Sequence, residues 1–170
     1  MLNKIKSRID LPSLLTTDQP IGVELGVLRG DYSKSILNKY NFKKFFMIDW
    51  WKKPKHIPNY LKLLDYSISN NNTDIYVLRG SFKEFVNIFN NNFFDFIYVD
   101  GLAHTGQLEG QTIRDWLPKI KPGGLFCGHD YCEDYPKTKH YVDLIANEYK
   151  FNVNVVGVDD GHPSWYYTKK

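Results

Sequence analysis

Very little in this chain could staple it. Its 170 residues include two cysteines, Cys127 and Cys132, which make no disulfide framework and match no zinc spacing. Reduced thiols in a cytoplasmic protein are the expectation. Long apolar runs are missing too, since none approaches the ~18–20 residues that a membrane-spanning helix needs. The N-terminal stretch MLNKIKSRIDLPSLL is amphipathic and broken by Asp10 and Pro12, so it lacks the continuous apolar core of a signal peptide. Charge of one sign is scarce. Lys and Arg total 22 against 19 Asp and Glu, a dispersed net +3, and so weak a field without a basic stripe argues against nucleic acid as a partner. No internal repeat or interdomain linker breaks the chain; the Asn70–Asn72 and Asn90–Asn92 triplets punctuate loops.

What is present is ordinary globular material, 42% hydrophobic and 24% charged, enough for one domain with its own core. Short apolar runs alternate with helical patterns: strands at Ile21–Leu25, Phe45–Ile48, Ile75–Leu78, Phe94–Val99, Leu125–Cys127, Val153–Val158 and Trp165–Thr168. Between them come helical patterns around Tyr32–Tyr40, Tyr60–Ser69, Ser81–Phe89, Ile113–Ile120 (terminated by Pro122-Gly123-Gly124) and Tyr141–Tyr149. Such alternation is the signature of βαβ units. The expected fold class is α/β: a Rossmann-like three-layer sandwich whose mainly parallel seven-stranded sheet ends in an antiparallel C-terminal hairpin.

The informative regularity is where carboxylates fall. Glu24, Asp49, Asp100 and Asp130 each stand at or near the C-terminal end of an apolar strand, where open α/β sheets bind ligands. One such acid is commonly a loop cap; four on one sheet argue for a shared cleft. The first turn reads Glu24-Leu25-Gly26-Val27-Leu28-Arg29-Gly30. It is not the G-x-G-x-x-G loop that holds a pyrophosphate, and its acid would repel one. Asp49 matches the residue that accepts ribose hydroxyls after a second strand. Together these features describe a nucleoside ligand with a cationic, phosphate-free arm.

From about Ile21 to Tyr167, this pattern resembles the class I S-adenosylmethionine-dependent methyltransferases. The resemblance implies S-adenosyl-L-methionine as cofactor, with Glu24, Gly26, Gly30 and Asp100 around its methionine half and Asp49 on its ribose. Trp50 would pack on adenine, and Gly80-Ser81 would meet the adenine edge. It also implies a single methyltransferase domain over residues 20–170 behind an N-terminal helical extension, 1–19.

The second half resembles a narrower group, the small-molecule and sugar O-methyltransferases, through Val99-Asp100-Gly101-Leu102-Ala103-His104, Pro122-Gly123-Gly124 and Gly128-His129-Asp130-Tyr131. This resemblance implies a small-molecule or glycan acceptor, with His104 as general base beside Asp100. It also implies a site for Mg²⁺ or another divalent cation on Asp100 and Asp130, where His129 replaces the group's second acid. Asp100 and His104 are four residues apart, whereas the group commonly spaces them by three. Tyr131, His162 and Trp165 are candidates for the acceptor wall, although Trp165 and Tyr166 at strand spacing equally describe one core and one surface residue. Arg29 could face a carboxylate or simply water. Competing readings are a non-catalytic cofactor-binding module on the same fold and a nucleic-acid methyltransferase, the latter without the Asn/Asp-Pro-Pro-aromatic motif of base N-methylating enzymes. An exposed terminal strand and the N-terminus are the expected surfaces for a homodimer.

Overall fold

A strand that is apolar at every position must be covered on both faces, and Phe94–Val99, buried throughout, is the centre of this sheet. In a computed structural model, which describes residues 5–157 and 161–170, seven strands follow in chain order. They are β1 (Ile21–Leu25), β2 (Lys44–Asp49), β3 (Asp74–Arg79), β4 (Phe94–Val99), β5 (Ile120–Gly128), β6 (Asn154–Val156) and β7 (Ser164–Thr168). Their spatial order is β3-β2-β1-β4-β5-β7-β6. β1 to β5 pair in parallel, and β7 runs antiparallel to both β5 and β6. The expected architecture is the one observed. The chain order reverses between β1 and β4, and that switch point opens a crevice beyond the strand ends.

Alternation along the strands builds two cores. Val23, Leu25, Ile48, Ile97, Val99 and Phe126 share one face with Val86, Ile113, Trp116 and Ile145. These last lie on or beside α3 (Phe82–Phe85), α5 (Gln111–Trp116) and α6 (Pro136–Tyr149). Phe45, Met47, Phe96 and Tyr98 share the other with Leu11, Tyr32, Ile36 and Leu63, which brings α1 (Asp31–Leu37), α2 (Ile57–Ser69) and the N-terminal segment to that side. Cys127 is wholly buried there, and burial pushes its thiol well above the usual cysteine range, which makes it a poor nucleophile and a packing residue.

Several boundaries differ from the sequence expectation. The N-terminal extension is a 3₁₀ stretch, Arg8–Leu14, because Pro12 removes an amide donor inside it; Met1–Lys4 lie outside the described residues. α2 begins at Ile57, since Pro58 is compatible with a first helical turn. The Ser81–Phe89 helix is divided into α3, capped by a Ser81–Glu84 capping box, and a 3₁₀ turn at Val86–Ile88. Pro122-Gly123-Gly124 lies inside β5 instead of ending a helix. There the pairing with β4 shifts register, and Gly123 N–H bonds the carbonyl of Lys169 at 2.7 Å, a bulge that local sequence cannot reveal. Ile120 accordingly belongs to the strand, and α5 closes in a 3₁₀ turn at Leu117–Lys119. The sixth strand is shorter than expected, Asn154–Val156; the expected end of that strand at Val158, with Asp159 and Asp160, lies outside the described residues. Between β4 and α5 stands α4 (Gly106–Glu109), a single turn wound left-handed, with φ between 53 and 58°.

One buried acid stitches the N-terminal end of the sheet. Asp95 accepts the Ile21 amide at 2.8 Å and the Lys121 ammonium at 2.9 and 2.8 Å, so β1, β4 and β5 meet on one side chain. Asp95→Ala strands a part-buried amide and a half-exposed ammonium, and should cost about 1–3 kcal/mol in urea unfolding; a loss under about 0.5 kcal/mol would show the stitch is dispensable.

Candidate functional site

The parallel ladder continues one residue past each strand. Gly26 N–H bonds Ile48 O at 2.9 Å, Gly80 N–H bonds Asp49 O at 3.0 Å, Asp100 N–H bonds Leu25 O at 2.8 Å and His129 N–H bonds Val99 O at 2.9 Å. Asp49, Gly26, Asp100 and His129 are thereby set side by side along one rim. Gly26 is where two loops touch: its φ is +98°, and a Cβ there would fall 2.3 Å from the Asp100 carbonyl oxygen. Only glycine tolerates both.

Beyond this rim lies a cleft of about 300 Å³ whose lining includes Gly26, Asp49, Trp50, Gly80, Ser81 and Asp100, six of the eight residues expected around a cofactor. The Asp49 carboxylate is held by two backbone amides, Leu28 N–H on Oδ2 at 2.8 Å and Trp51 N–H on Oδ1 at 3.1 Å. The Trp51 indole is buried and donates to Leu28 O at 2.8 Å, which leaves the neighbouring Trp50 indole 54% exposed at the cleft. The opposite wall comes from Thr112, Asp115 and Trp116 of α5. Sequence reading missed this wall, because Thr112 and Asp115 look like ordinary helix-surface residues.

Glu24 and Gly30 stand elsewhere. Val23 and Leu25 face the α5 side, so strand alternation turns Glu24 to the α1 side, where its carboxylate accepts the Ser33 hydroxyl and is 2% exposed. Burial lifts its pKa well above the carboxylate range, against the opposing bond from Ser33; Asp100 adds to the rise and Arg8 opposes it. Gly30, at φ +77°, makes room for Leu63 of α2. Arg29 is paired with Asp31 at 3.0 Å in an exposed position.

Beside the cleft, Asp100 joins a second group. Its Oδ1 is 3.6 Å from His129 Nδ1, which is 3.0 Å from Asp130 Oδ1; one ligand atom from each of the three residues lies within 4.8 Å of the others. Asp130 holds this position with φ +62°. Sequence reading also missed Arg8. Its guanidinium, 15% exposed, bonds Asp100 Oδ2 at 3.2 Å and Tyr98 Oη at 3.3 Å, and lies 5.1 Å from the Tyr32 ring centre. Burial raises the Asp100 pKa despite the opposing charges of His129 and Arg8. For His129, burial pulls downward, but the Asp130 bond and the Asp100 charge outweigh it and the pKa ends above the usual value.

The remaining candidates are placed apart from the cleft. His104 is exposed on the turn before α4, with its ring 5.1 Å from that of Tyr135. Tyr131 donates to Asp143 Oδ1 at 2.7 Å. Trp165 is fully buried in the α5-side core, pressed on Gly128, which corrects its place on the acceptor wall: β7 is an inner strand, so Trp165 faces the core and Tyr166 the opposite side. His162, 31% exposed, sits 3.7 Å from Asp130 Oδ1 and from Asp134 Oδ2.

Comparison with known proteins bears on the family and the fold. A family model described as "Methyltransferase domain" matches residues 23–131, more than half of the chain. No curated protein matches the sequence. Among solved structures, a precorrin-6y C5,15-methyltransferase from Geobacter metallireducens superposes with TM-score 0.71 at 13% identity, over 95% of this chain and 86% of its own. A SAM-dependent methyltransferase from Aquifex aeolicus gives 0.69 at 16%, over 94% and 87%. An rRNA methylase from Streptococcus thermophilus gives 0.68 at 14%, over 95% and 93%. At such identities the likeness is one of fold.

Two substitutions test the rim. Gly26→Ala forces its Cβ into the Asp100 backbone and should cost about 1–3 kcal/mol, read as a Tm drop of roughly 2–4 °C per kcal/mol; an unchanged Tm would contradict the packing. Glu24→Gln keeps a partner for Ser33 and removes the buried charge. Because the folded pKa of Glu24 is raised, the stability from its protonation is complete below the unfolded-chain value and lost as pH rises through the folded one. The Tm of Glu24→Gln should therefore exceed wild type at pH 8, and the gap should close toward pH 4. A gap independent of pH would refute the assignment.

Proposed function

The chain belongs to the family of methyltransferase domains, and on that premise we propose that it moves a methyl group from S-adenosylmethionine to a hydroxyl oxygen of a small acceptor, a sugar or glycan terminus. The observation that carries the donor half is the cleft itself: Asp49, Trp50 and Gly80-Ser81 converge on one cavity at the switch point of the sheet. Its about 300 Å³ is at the lower end of small-molecule sites. The residues fit the group. Gly26 leaves the cradle that a Cβ would fill, the Asp49 carboxylate has lone pairs to spare for vicinal hydroxyls, and the exposed Trp50 indole offers an aromatic face for adenine.

When bound, S-adenosylmethionine supplies a methyl group already activated on a sulfonium. The protein then has to position an oxygen and remove its proton. Asp100 lines the cleft and also belongs to the His129–Asp130 group, so it stands where donor and acceptor sides meet. Burial makes its carboxylate more basic than usual, and Arg8 on Oδ2 leaves Oδ1 toward His129. In this reading an acceptor hydroxyl gives its proton to Asp100 Oδ1. His104, the base implied by resemblance, is on an exposed turn packed on Tyr135, and we assign it no proton. The spacing of Asp100, His129 and Asp130 favours a second reading. Two carboxylates and an imidazole suit a divalent cation, Mg²⁺ or a softer ion, that would lower the pKa of an acceptor hydroxyl.

Calorimetry with S-adenosylhomocysteine should show micromolar binding, weakened about tenfold or more (~1.4 kcal/mol) by Asp49→Ala; absence of binding to the wild type would overturn the proposal. Turnover with hydroxylated acceptors should fall as pH drops through the raised Asp100 pKa, on an acid limb that Asp100→Asn abolishes along with activity. Binding without transfer to any hydroxylated acceptor would leave a cofactor-binding module instead. Turnover unchanged by EDTA would remove the cation from the mechanism.

A further inference from the structure

A second group of metal-ligand side chains lies next to the rim and is used by nothing above. Cys132, Asp134 and His162 each offer a ligand atom within 4.8 Å of the other two. The chain brings them together by specific backbone bonds. Cys132 N–H bonds Asp130 O at 3.0 Å and Tyr135 N–H bonds Cys132 O at 3.2 Å, closing a turn that presents residues 132 and 134 together. Tyr131 N–H bonds Pro163 O at 3.0 Å, which docks the loop before β7 onto this turn and delivers His162.

We propose that Cys132, Asp134 and His162 form a binding site for a borderline-soft divalent transition ion of the zinc class, separate from the Asp100 group. The donor set selects the ion: a thiolate and an imidazole with one carboxylate suit zinc or cobalt, whereas all-oxygen sites suit magnesium and calcium. The spacing agrees. With metal–ligand bonds of about 2.0–2.3 Å, two ligands of a tetrahedral ion stand roughly 3.3–3.8 Å apart, and His162 Nε2 is already 3.7 Å from Asp134 Oδ2. The other ring nitrogen, Nδ1, faces Asp130 Oδ1 at 3.7 Å. At that distance Asp130 makes no direct hydrogen bond to the ring, but it stands on the side from which an outer carboxylate would orient a ligating histidine. On binding, the Cys132 thiol forms a metal–sulfur bond and releases its proton to solvent. Three protein ligands leave a fourth position open to water or to an acceptor oxygen. The bound ion would pin the loop after β5 to the loop before β7, beside the Asp130 edge of the rim.

Titration of the reduced full-length chain with Co²⁺ tests this directly, because a thiolate ligand gives a near-ultraviolet sulfur-to-cobalt charge-transfer band that oxygen and nitrogen ligands do not. The band should saturate at one ion per chain and bleach on adding Zn²⁺. It should vanish in Cys132→Ser, need at least about tenfold more Co²⁺ in Asp134→Asn, and persist in Asp100→Asn. No band in the wild type, a band that survives Cys132→Ser, or one lost equally in Asp100→Asn overturns the proposal. Should Cys132→Ser fail to fold, alkylation of the wild type decides: Zn²⁺ should slow iodoacetamide labelling of Cys132 at least tenfold, and unslowed labelling refutes the site. None of these readouts depends on methyl transfer, so the proposal stands or falls apart from the reading of the cleft.

Discussion

A parallel sheet delivers the C-terminal ends of its strands to one edge, and here that edge carries acids. Holding Glu24, Asp49, Asp100 and Asp130 close together in partly dehydrated surroundings is the physical problem the rest of the site answers. Like charges repel, and burial penalises each further. The protein answers separately for each acid. Asp49 is met by two amides, Glu24 by a serine hydroxyl, Asp130 by His129 and Asp100 by a guanidinium from outside the sheet. Arg8 also lowers the charge penalty felt by Glu24. The N-terminal segment is therefore part of the electrostatic design: Leu11 is wholly buried in the α1-side core, and that anchorage brings Arg8 to the rim.

Much of this was legible from sequence, and the residues that were not share a cause. Strands β1, β2 and β4 were evident because a doubly covered strand has to be apolar along its length. Asp49, Trp50, Gly80 and Ser81 were found because each follows its strand directly, and the ladder fixes what comes next. Glu24 was located on the right strand, but which face it takes depends on counting parity against the buried Val23 and Leu25. Arg8 was invisible because its partner is 92 positions away. Pro122-Gly123-Gly124 mimics a helix terminator, and only the shifted pairing with β4 and the bond to Lys169, just past the last strand, make it a bulge. Cys132 matched no zinc spacing because one neighbour, Asp134, is a carboxylate two residues on and the other, His162, comes from a loop thirty residues on.

The two halves of the site are built differently. The cleft rests on backbone ladder bonds at the first four strands, which belong to the fold that distant structures share at 13–16% identity. The other half, with His129, Asp130, Cys132, Asp134 and His162, stands on the loop after β5 and the approach to β7. Loops of this kind tolerate substitution while the scaffold keeps them in place. On the proposed reading, the acceptor side thus falls in the part of the chain where the fold constrains sequence least.

The double grip on Asp49 has a thermodynamic consequence. A free aspartate that captured two hydroxyls would surrender rotational freedom as it did so. Here Leu28 and Trp51 remove that freedom through the fold itself, at the expense of folding. On the proposed reading, capture of a ribose diol then demands little further ordering of this side chain, and its share of the affinity should appear as heat rather than be lost to immobilisation.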